Sequence, residues 1–123
     1  MTAPADGRPR ILFVDDDANL IAAMRNVLHR DRKRWDMTFV LGGAEAIAEL
    51  ERGSFDIVIT DMRMPMISGS DVLEAALRTS PRARRVILSG SDCDAVADQI
   101  DALMVKPCGA ITVRATIERL LAT

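Results

Sequence analysis

The chain has 123 residues, 49% of them hydrophobic and 28% charged, with 16 Lys+Arg against 18 Asp+Glu for a net charge of -2. A chain of this size folds around one core and buries roughly two-thirds of its unfolded surface, and the composition is that of an ordinary globular domain. Disordered, collagen-like and membrane-spanning classes are thereby excluded. The longest apolar runs are four or five residues, far short of the ~20 that cross a bilayer. Residues 1–10 lack the apolar stretch of a secretory signal, so the expected compartment is the cytoplasm, with no membrane partner. Cys93 and Cys108 have neither metal-ligand spacing nor an oxidising context and are expected to be free thiols. Aromatic residues are limited to Phe13, Trp35, Phe39 and Phe55, which leaves few stacking platforms for single-stranded nucleic acid. Two basic clusters, Arg30-Asp31-Arg32-Lys33-Arg34 and Arg82-Ala83-Arg84-Arg85, fall at helix-to-strand connections and read as solvated turns, so no nucleic-acid binding is expected.

Residues 1–9, with Pro4, Gly7 and Pro9, read as a short flexible lead to a single domain over 10–123. Ile11-Leu12-Phe13-Val14 is an apolar run that ends abruptly in Asp15-Asp16-Asp17, the pattern of a strand buried on both faces. Over 18–30 the positions Leu20, Ile21, Met24, Val27 and Leu28 recur at helical spacing, which predicts an amphipathic helix. A strand over 35–41 and a helix over 44–52, with Ile47 and Leu50 inward, follow on either side of the Gly42-Gly43 turn. The segment 55–61 holds a third strand, and a Pro- and Gly-containing loop over 62–69 leads to a helix over 70–78 with Val72, Leu73, Ala76 and Leu77 apolar. The remaining pattern is a strand over 85–89, a short helix over 92–101, a strand over 103–105 and an amphipathic helix over 111–122. Five βα units of this kind call for an α/β fold, a single doubly wound parallel sheet covered on both faces and joined by right-handed crossovers.

In such a sheet the ligand site lies at the carboxyl ends of the strands. The residues there are Asp15, Asp16 and Asp17 after the first strand, Asp61 after the third, Ser89-Gly90 after the fourth and Lys106-Pro107 after the fifth. With strand order 2-1-3-4-5, the first acids would stand beside Asp61 at the topological switch point. Two carboxylates ~4 Å apart repel by ~4 kcal/mol at an effective dielectric of ~20, against a domain stability of only ~5–15 kcal/mol. A helix amino terminus returns ~0.3–1 kcal/mol to a nearby acid, enough to explain one of them. A hard divalent cation, magnesium above all, relieves the repulsion and is commonly held by one or two carboxylates with water and phosphate oxygens. Lys106 and Ser89 suit phosphoryl oxygens, Gly90 allows close backbone approach, and Asp61 is placed to attack phosphorus as a nucleophile.

Ile11-Leu12-Phe13-Val14-Asp15-Asp16-Asp17, Ile57-Val58-Ile59-Thr60-Asp61-Met62-Arg63-Met64-Pro65, Gly69, Val86-Ile87-Leu88-Ser89-Gly90 and Val105-Lys106-Pro107 together resemble the receiver domain of two-component response regulators over nearly the whole chain. The resemblance implies the five-stranded flavodoxin-like receiver fold with Asp61 as phosphoacceptor. It also implies Mg2+ bound by Asp16, Asp61 and the backbone carbonyl of Arg63, with Asp15 acting mainly through water. Ser89 is then the switch hydroxyl and Lys106 the phosphate-binding lysine. The implied partners are a sensor histidine kinase or phosphotransfer protein and an output domain or separate effector. The domain would assist only its own phosphorylation and dephosphorylation, without being an enzyme. Trp35-Asp36-Met37-Thr38-Phe39, Asp61-Met62-Arg63-Met64-Pro65, Leu88-Ser89-Gly90 and Lys106-Pro107-Cys108 further resemble receivers joined to HDOD- or HD-type output modules, which makes the chain a stand-alone receiver or the front of a longer protein.

Two departures stand out. Leu103 occupies the switch position that is usually Tyr or Phe, and Ser89 and Lys106 are separated by 106 − 89 = 17 positions, which predicts a truncated fourth helix. Three rival readings use the same topology. A flavin module needs a phosphate-cradling loop where the three aspartates stand. A haloacid dehalogenase-type hydrolase needs an acid where Arg63 stands. A receiver-shaped interaction module working without phosphorylation is compatible with Leu103 and the short helix.

Overall fold

The computed structural model describes residues 7–90, 100–106 and 108–122. Five strands, β1 (Arg10–Asp15), β2 (Asp36–Leu41), β3 (Ile57–Asp61), β4 (Arg84–Ser89) and β5 (Ala102–Val105), form one parallel sheet in the order β2-β1-β3-β4-β5. The four helices of the described residues are α1 (Ala18–Leu28), α2 (Gly43–Arg52), α3 (Gly69–Thr79) and α4 (Ala110–Leu121). This is the doubly wound α/β arrangement expected from the alternating pattern. Residues 92–99 of the expected short helix lie outside the described residues.

Side chains that alternate along each strand sort the core into two layers, as the period of a pleated strand requires. Ile11, Phe13, Ile57, Ile59, Val86 and Leu88 face one way, against Met24 and Leu28 of α1 and Val113, Ile117 and Leu120 of α4. Leu12, Val14 and Val58 face the other way, against Ala46 and Leu50 of α2 and Val72, Ala75 and Ala76 of α3. Truncating a side chain as enclosed as Leu28 or Ile57, both 0% exposed, costs ~2–5 kcal/mol. The two layers clamp β1 and β3 from both sides.

The elements differ from the sequence expectation mainly at their ends. The first helix stops at Leu28 and continues as a 3-10 turn, His29–Asp31. β3 starts at Ile57, because the Phe55 N–H is donated to the Ser80 hydroxyl instead of a neighbouring strand. Val27 and Leu77, assigned to apolar faces by spacing, are 45% and 50% exposed. α1 instead buries Ile21, Met24 and Leu28, and α3 buries Gly69, Val72, Leu73, Ala75 and Ala76. No helix among the described residues is long and apolar enough to cross a membrane.

Candidate functional site at the carboxyl ends of the strands

The three consecutive acids after β1 divide into three different roles. Asp17 is the N-cap of α1: its carboxylate accepts from the N–H groups of Asn19 and Leu20 at 2.9 and 3.3 Å, offsetting the unpaired donors of the first turn. Asp15 is 2% exposed and both its oxygens are engaged. Its Oδ1 accepts from the Asp17 N–H at 2.9 Å, and its Oδ2 from Lys106 Nζ at 2.8 Å. Asp16 is exposed at the rim.

Parallel pairing brings Asp61 to them. β1 and β3 are in register from Ile11↔Ile57 to Val14↔Thr60, so Asp15 and Asp61 are the next residues on adjacent strands. One carboxylate oxygen from each of Asp15, Asp16 and Asp61 lies within 4.8 Å of the others. Asp61 itself is 7% exposed. Its backbone is fixed by α3, where Gly69 packs so tightly that a Cβ would collide with the Asp61 carbonyl oxygen, while the Gly69 N–H is donated to the Met62 carbonyl at 2.8 Å. Ser68 and Asp71 cap this helix reciprocally, setting the exit angle of the loop.

Lys106 follows β5 and is the cation of the cluster. Its Nζ stands 2.8 Å from Asp15 Oδ2 and 3.5 Å from Asp61 Oδ1, and its N–H is donated to the Ser89 carbonyl at 2.6 Å. Ser89 is 2% exposed and directly follows Leu88, the β4 partner of Asp61. Asp15, Asp16, Asp61, Ser89 and Lys106 therefore converge at one rim from β1, β3, β4 and the end of β5. Arg63 is exposed in the β3–α3 loop, two residues beyond Asp61.

The charges do not balance. Burial, with the charge of Asp15 next, pushes the Asp61 carboxyl above the ordinary carboxylate range, and the Lys106 ammonium only partly opposes them. Burial likewise works against the charged form of Lys106, but the hydrogen bond and charge of Asp15 and the charge of Asp61 outweigh it and hold the ammonium above its usual value. Three acids stand together and one ammonium pairs with only two of them, Asp15 and Asp61, so a cation with oxygen preference fits the vacancy in charge.

Sequence reasoning missed two features near the site. Met66, in the β3–α3 loop, sits at φ 66 with its side chain fully exposed, a left-handed backbone that costs an ordinary residue roughly 1–2 kcal/mol. Beside Lys106, α1 and the start of α4 enclose a largely apolar cavity of about 520 Å³ whose wall includes Leu20, Met24, Val27, Leu88 and Cys108. Val27, unpacked against the sheet, is part of that wall. Cys108 is a free, half-buried thiol 3.9 Å from Met104 Sδ, and burial pushes its pKa up, as a packed rather than an activated cysteine requires. Cys93 lies outside the described residues.

The family model of the response regulator receiver domain matches residues 11–122. A Haloferax volcanii protein named as a transcriptional regulator is 35% identical over 113 residues, 90% of this chain and 19% of its own length. The chemotaxis protein CheY of Pseudomonas aeruginosa is 29% identical over 119 residues, covering 90% of this chain and 94% of its own. A solved structure described as the adenylate cyclase from Rhodopirellula baltica superposes with a TM-score of 0.83 at 29% identity, over 94% of this chain and 88% of that one. The chain spans only 19%, 41% and 37% of three transcriptional regulators that it matches.

Proposed function

Because the chain belongs to the response regulator receiver family, we propose that Asp61 accepts the phosphoryl group and that the rim around it performs the transfer. A carboxylate oxygen of Asp61 attacks phosphorus, an acyl phosphate forms, and the bond from phosphorus to the donor, an imidazole nitrogen of a phosphohistidine, breaks as the electron pair leaves with the imidazole. Lys106 Nζ, already 3.5 Å from Asp61 Oδ1, pairs with one phosphoryl oxygen, and the Ser89 hydroxyl donates to another. Lys106 releases Asp15 to do so, and the new acyl phosphate supplies roughly -2 of charge in exchange.

Receiver domains bind Mg2+ in this acidic site, and the donor set here fits it: hard carboxylate oxygens from three residues within 4.8 Å of one another. Asp16, Asp61 and the backbone carbonyl of Arg63 would hold the ion directly. Asp15, with both oxygens engaged, would act through water. When bound, Mg2+ neutralises charge on the equatorial phosphoryl oxygens.

The observation that carries this reading is the convergence of two carboxylates, Asp15 and Asp16, and one ammonium on Asp61. The biological unit proposed is a receiver over 10–123 behind a lead over 1–9, in the cytoplasm, receiving phosphoryl from a sensor histidine kinase or phosphotransfer protein. Its output would be an attached domain, with an HDOD- or HD-type module as the specific proposal from the Trp35–Phe39 and Lys106–Cys108 segments, or a separate effector. Incubation with acetyl phosphate and Mg2+, read by intact mass, is expected to add one phosphoryl group to the parent and none to Asp61→Asn. Equal labelling of that variant would reject the assignment.

A further inference from the structure

The β3–α3 loop, residues 62–68, lies against the start of α2. Ile67 rests on Gly43, the buried first residue of that helix. A Cβ at position 43 would stand 2.7 Å from Ile67 Cβ and 3.0 Å from the Ile67 carbonyl oxygen, with Ile67 Cγ2 nearer still. Carbon atoms in contact settle at ~3.5–4.0 Å, so hydrogen is the largest substituent that fits there. The turn before α2 is tied on its other side to the acid-bearing end of β1. The Gly42 N–H is donated to the Asp15 carbonyl at 3.1 Å, and the Leu41 N–H to Glu45 Oε1 at 3.0 Å.

Of the two sides of this contact, α2 is the fixed one. Ala46 and Leu50, on the same helix, are 0% and 1% exposed in the core layer shared with α3, and a retreat of Gly42 would pull on the Asp15 carbonyl. The loop is held by less. Arg63, Pro65 and Met66 are exposed, and its apolar packing comes from Met64 and Ile67, both only partly buried. Its far end is anchored where Gly69 meets the Asp61 carbonyl. Between those anchors the Ile67 N–H is donated to the Pro65 carbonyl at 2.7 Å, closing a tight turn around Met66. The seat of Ile67 on Gly43 therefore sets how the middle of the loop lies over the site.

Resting on the reading of Asp61 as phosphoacceptor beside a Mg2+ site, we propose that Gly43 and Ile67 are positioning residues for that site. The glycine seats the isoleucine, and the seat fixes the loop from which the Arg63 carbonyl is offered to the metal. Mg2+ demands near-octahedral oxygen ligands, and a site of that kind needs its ligands held within roughly 0.5 Å. A carboxylate can be re-aimed by a change of rotamer, whereas a backbone carbonyl goes where its loop goes. Through the Gly42 N–H the same turn also holds the Asp15 backbone, so it connects the strand bearing the paired acid to the loop beyond the acceptor.

Mg2+ affinity of the full chain, measured by calorimetry, together with Tm in metal-free buffer separates positioning from stability. Gly43→Ala should weaken Mg2+ roughly tenfold, the scale of lost outer-shell support, and shift the amide signals of Arg63, Met66 and Ile67 in the metal-free protein. Ile67→Ala removes the wedge without adding an atom to α2; it should weaken Mg2+ by a smaller factor and carries the test if Gly43→Ala does not fold. The double variant should bind better than the product of the two single losses, because truncating Ile67 removes the Cγ2 that the new Cβ meets. Leu50→Ala, further along the same helix, should lower Tm at least as much with Mg2+ affinity unchanged. Unchanged affinity in folded Gly43→Ala or in Ile67→Ala, strict additivity in the double variant, or an equal loss in Leu50→Ala would overturn the inference while leaving the Asp61 site standing. A parent chain that binds no Mg2+ would overturn the reading of the site, and this inference with it.

Discussion

Asp61 and Asp31 are both buried carboxylates, 7% and 4% exposed, and they occupy opposite electrostatic surroundings. Asp31 receives Arg34 Nε and Nη2 on one oxygen at 3.0 and 2.9 Å and Arg114 Nε on the other at 2.9 Å. Burial raises its pKa, yet the hydrogen bonds and charges of the two guanidinium groups outweigh burial and hold it below the usual range. Arg34 continues to Glu118 at 2.8 Å, and Arg114 Nη2 to the Val27 carbonyl at 2.9 Å, so the cluster ties α1, the turn after it and α4 together. Asp61 instead faces two further acids across one shared ammonium, and its pKa is raised. A buried charge with its partners in place holds a fold together, whereas one left in excess is a site waiting for a ligand.

The largest expected effect follows from breaking the settled cluster. Asp31→Ala leaves Arg114 and Arg34 without their shared acceptor, and loss of one partner from a buried pair costs ~3–5 kcal/mol. Arg34 is 44% exposed at its side chain and recovers water, which favours the lower end, ~3 kcal/mol. Thermal denaturation should show Tm lowered by roughly 10 °C, with Mg2+ binding unchanged. A shift of a degree or less would mean that the cluster is decoration.

Acid should act on the two aspartates with opposite sign. The folded-state pKa of Asp31 lies below the ordinary 3.8, so its stabilising contribution is full above the unfolded value and is lost as pH falls through the folded one. The folded-state pKa of Asp61 lies above 3.8, so the folded state takes up that proton first, and its repulsion is relieved as pH falls through the raised value. In metal-free buffer Asp61→Asn should therefore be more stable than the parent at pH 7, with the gap narrowing on acidification toward pH 4. Asp31→Asn should show the reverse pattern, a deficit at pH 7 that shrinks only below pH 3.8.

Smaller effects are expected at the rim. Asp16→Ala should weaken Mg2+ binding while leaving the metal-free domain folded, with stability changed by about 1 kcal/mol or less and in the stabilising direction. A marked loss of Tm without metal would make Asp16 structural. Arg63 is exposed two residues past the proposed acceptor, and a long side chain there would screen water from the acyl phosphate. Arg63→Ala should change the half-life of phosphorylated protein, measured by the decay of the mass adduct, while Mg2+ affinity stays the same.

The contrast also explains what could be read from sequence. The Asp61 site was legible because apolar runs stop abruptly at Asp15, Asp61, Ser89 and before Lys106, and parallel topology must bring strand ends together. The Asp31 cluster was not legible. Arg30–Arg34 reads as a charged turn, and the partner that buries Asp31 is Arg114, 83 residues away on α4. The division of labour among Asp15, Asp16 and Asp17 was hidden for a similar reason, since only the position of Lys106 decides which acid is paired. Periodicity likewise placed Val27 on the inner face of α1, but Ile21, Met24 and Leu28 take up that face and Val27 is 45% exposed at the cavity wall.

The most direct test is the increment that Mg2+ adds to Tm at pH 7 in four proteins: the parent, Asp61→Asn, Asp16→Ala and Asp31→Asn. A ligand that binds only the folded state stabilises it by RT ln(1 + [L]/Kd), about 2.7 kcal/mol at one hundred times Kd. The parent and Asp31→Asn should show the same increment from different starting temperatures, because the settled cluster takes no part in binding. Asp61→Asn and Asp16→Ala should show a reduced increment or none at the same concentration. Equal increments in all four would contradict the claim that the acids around Asp61 are kept in excess for a cation.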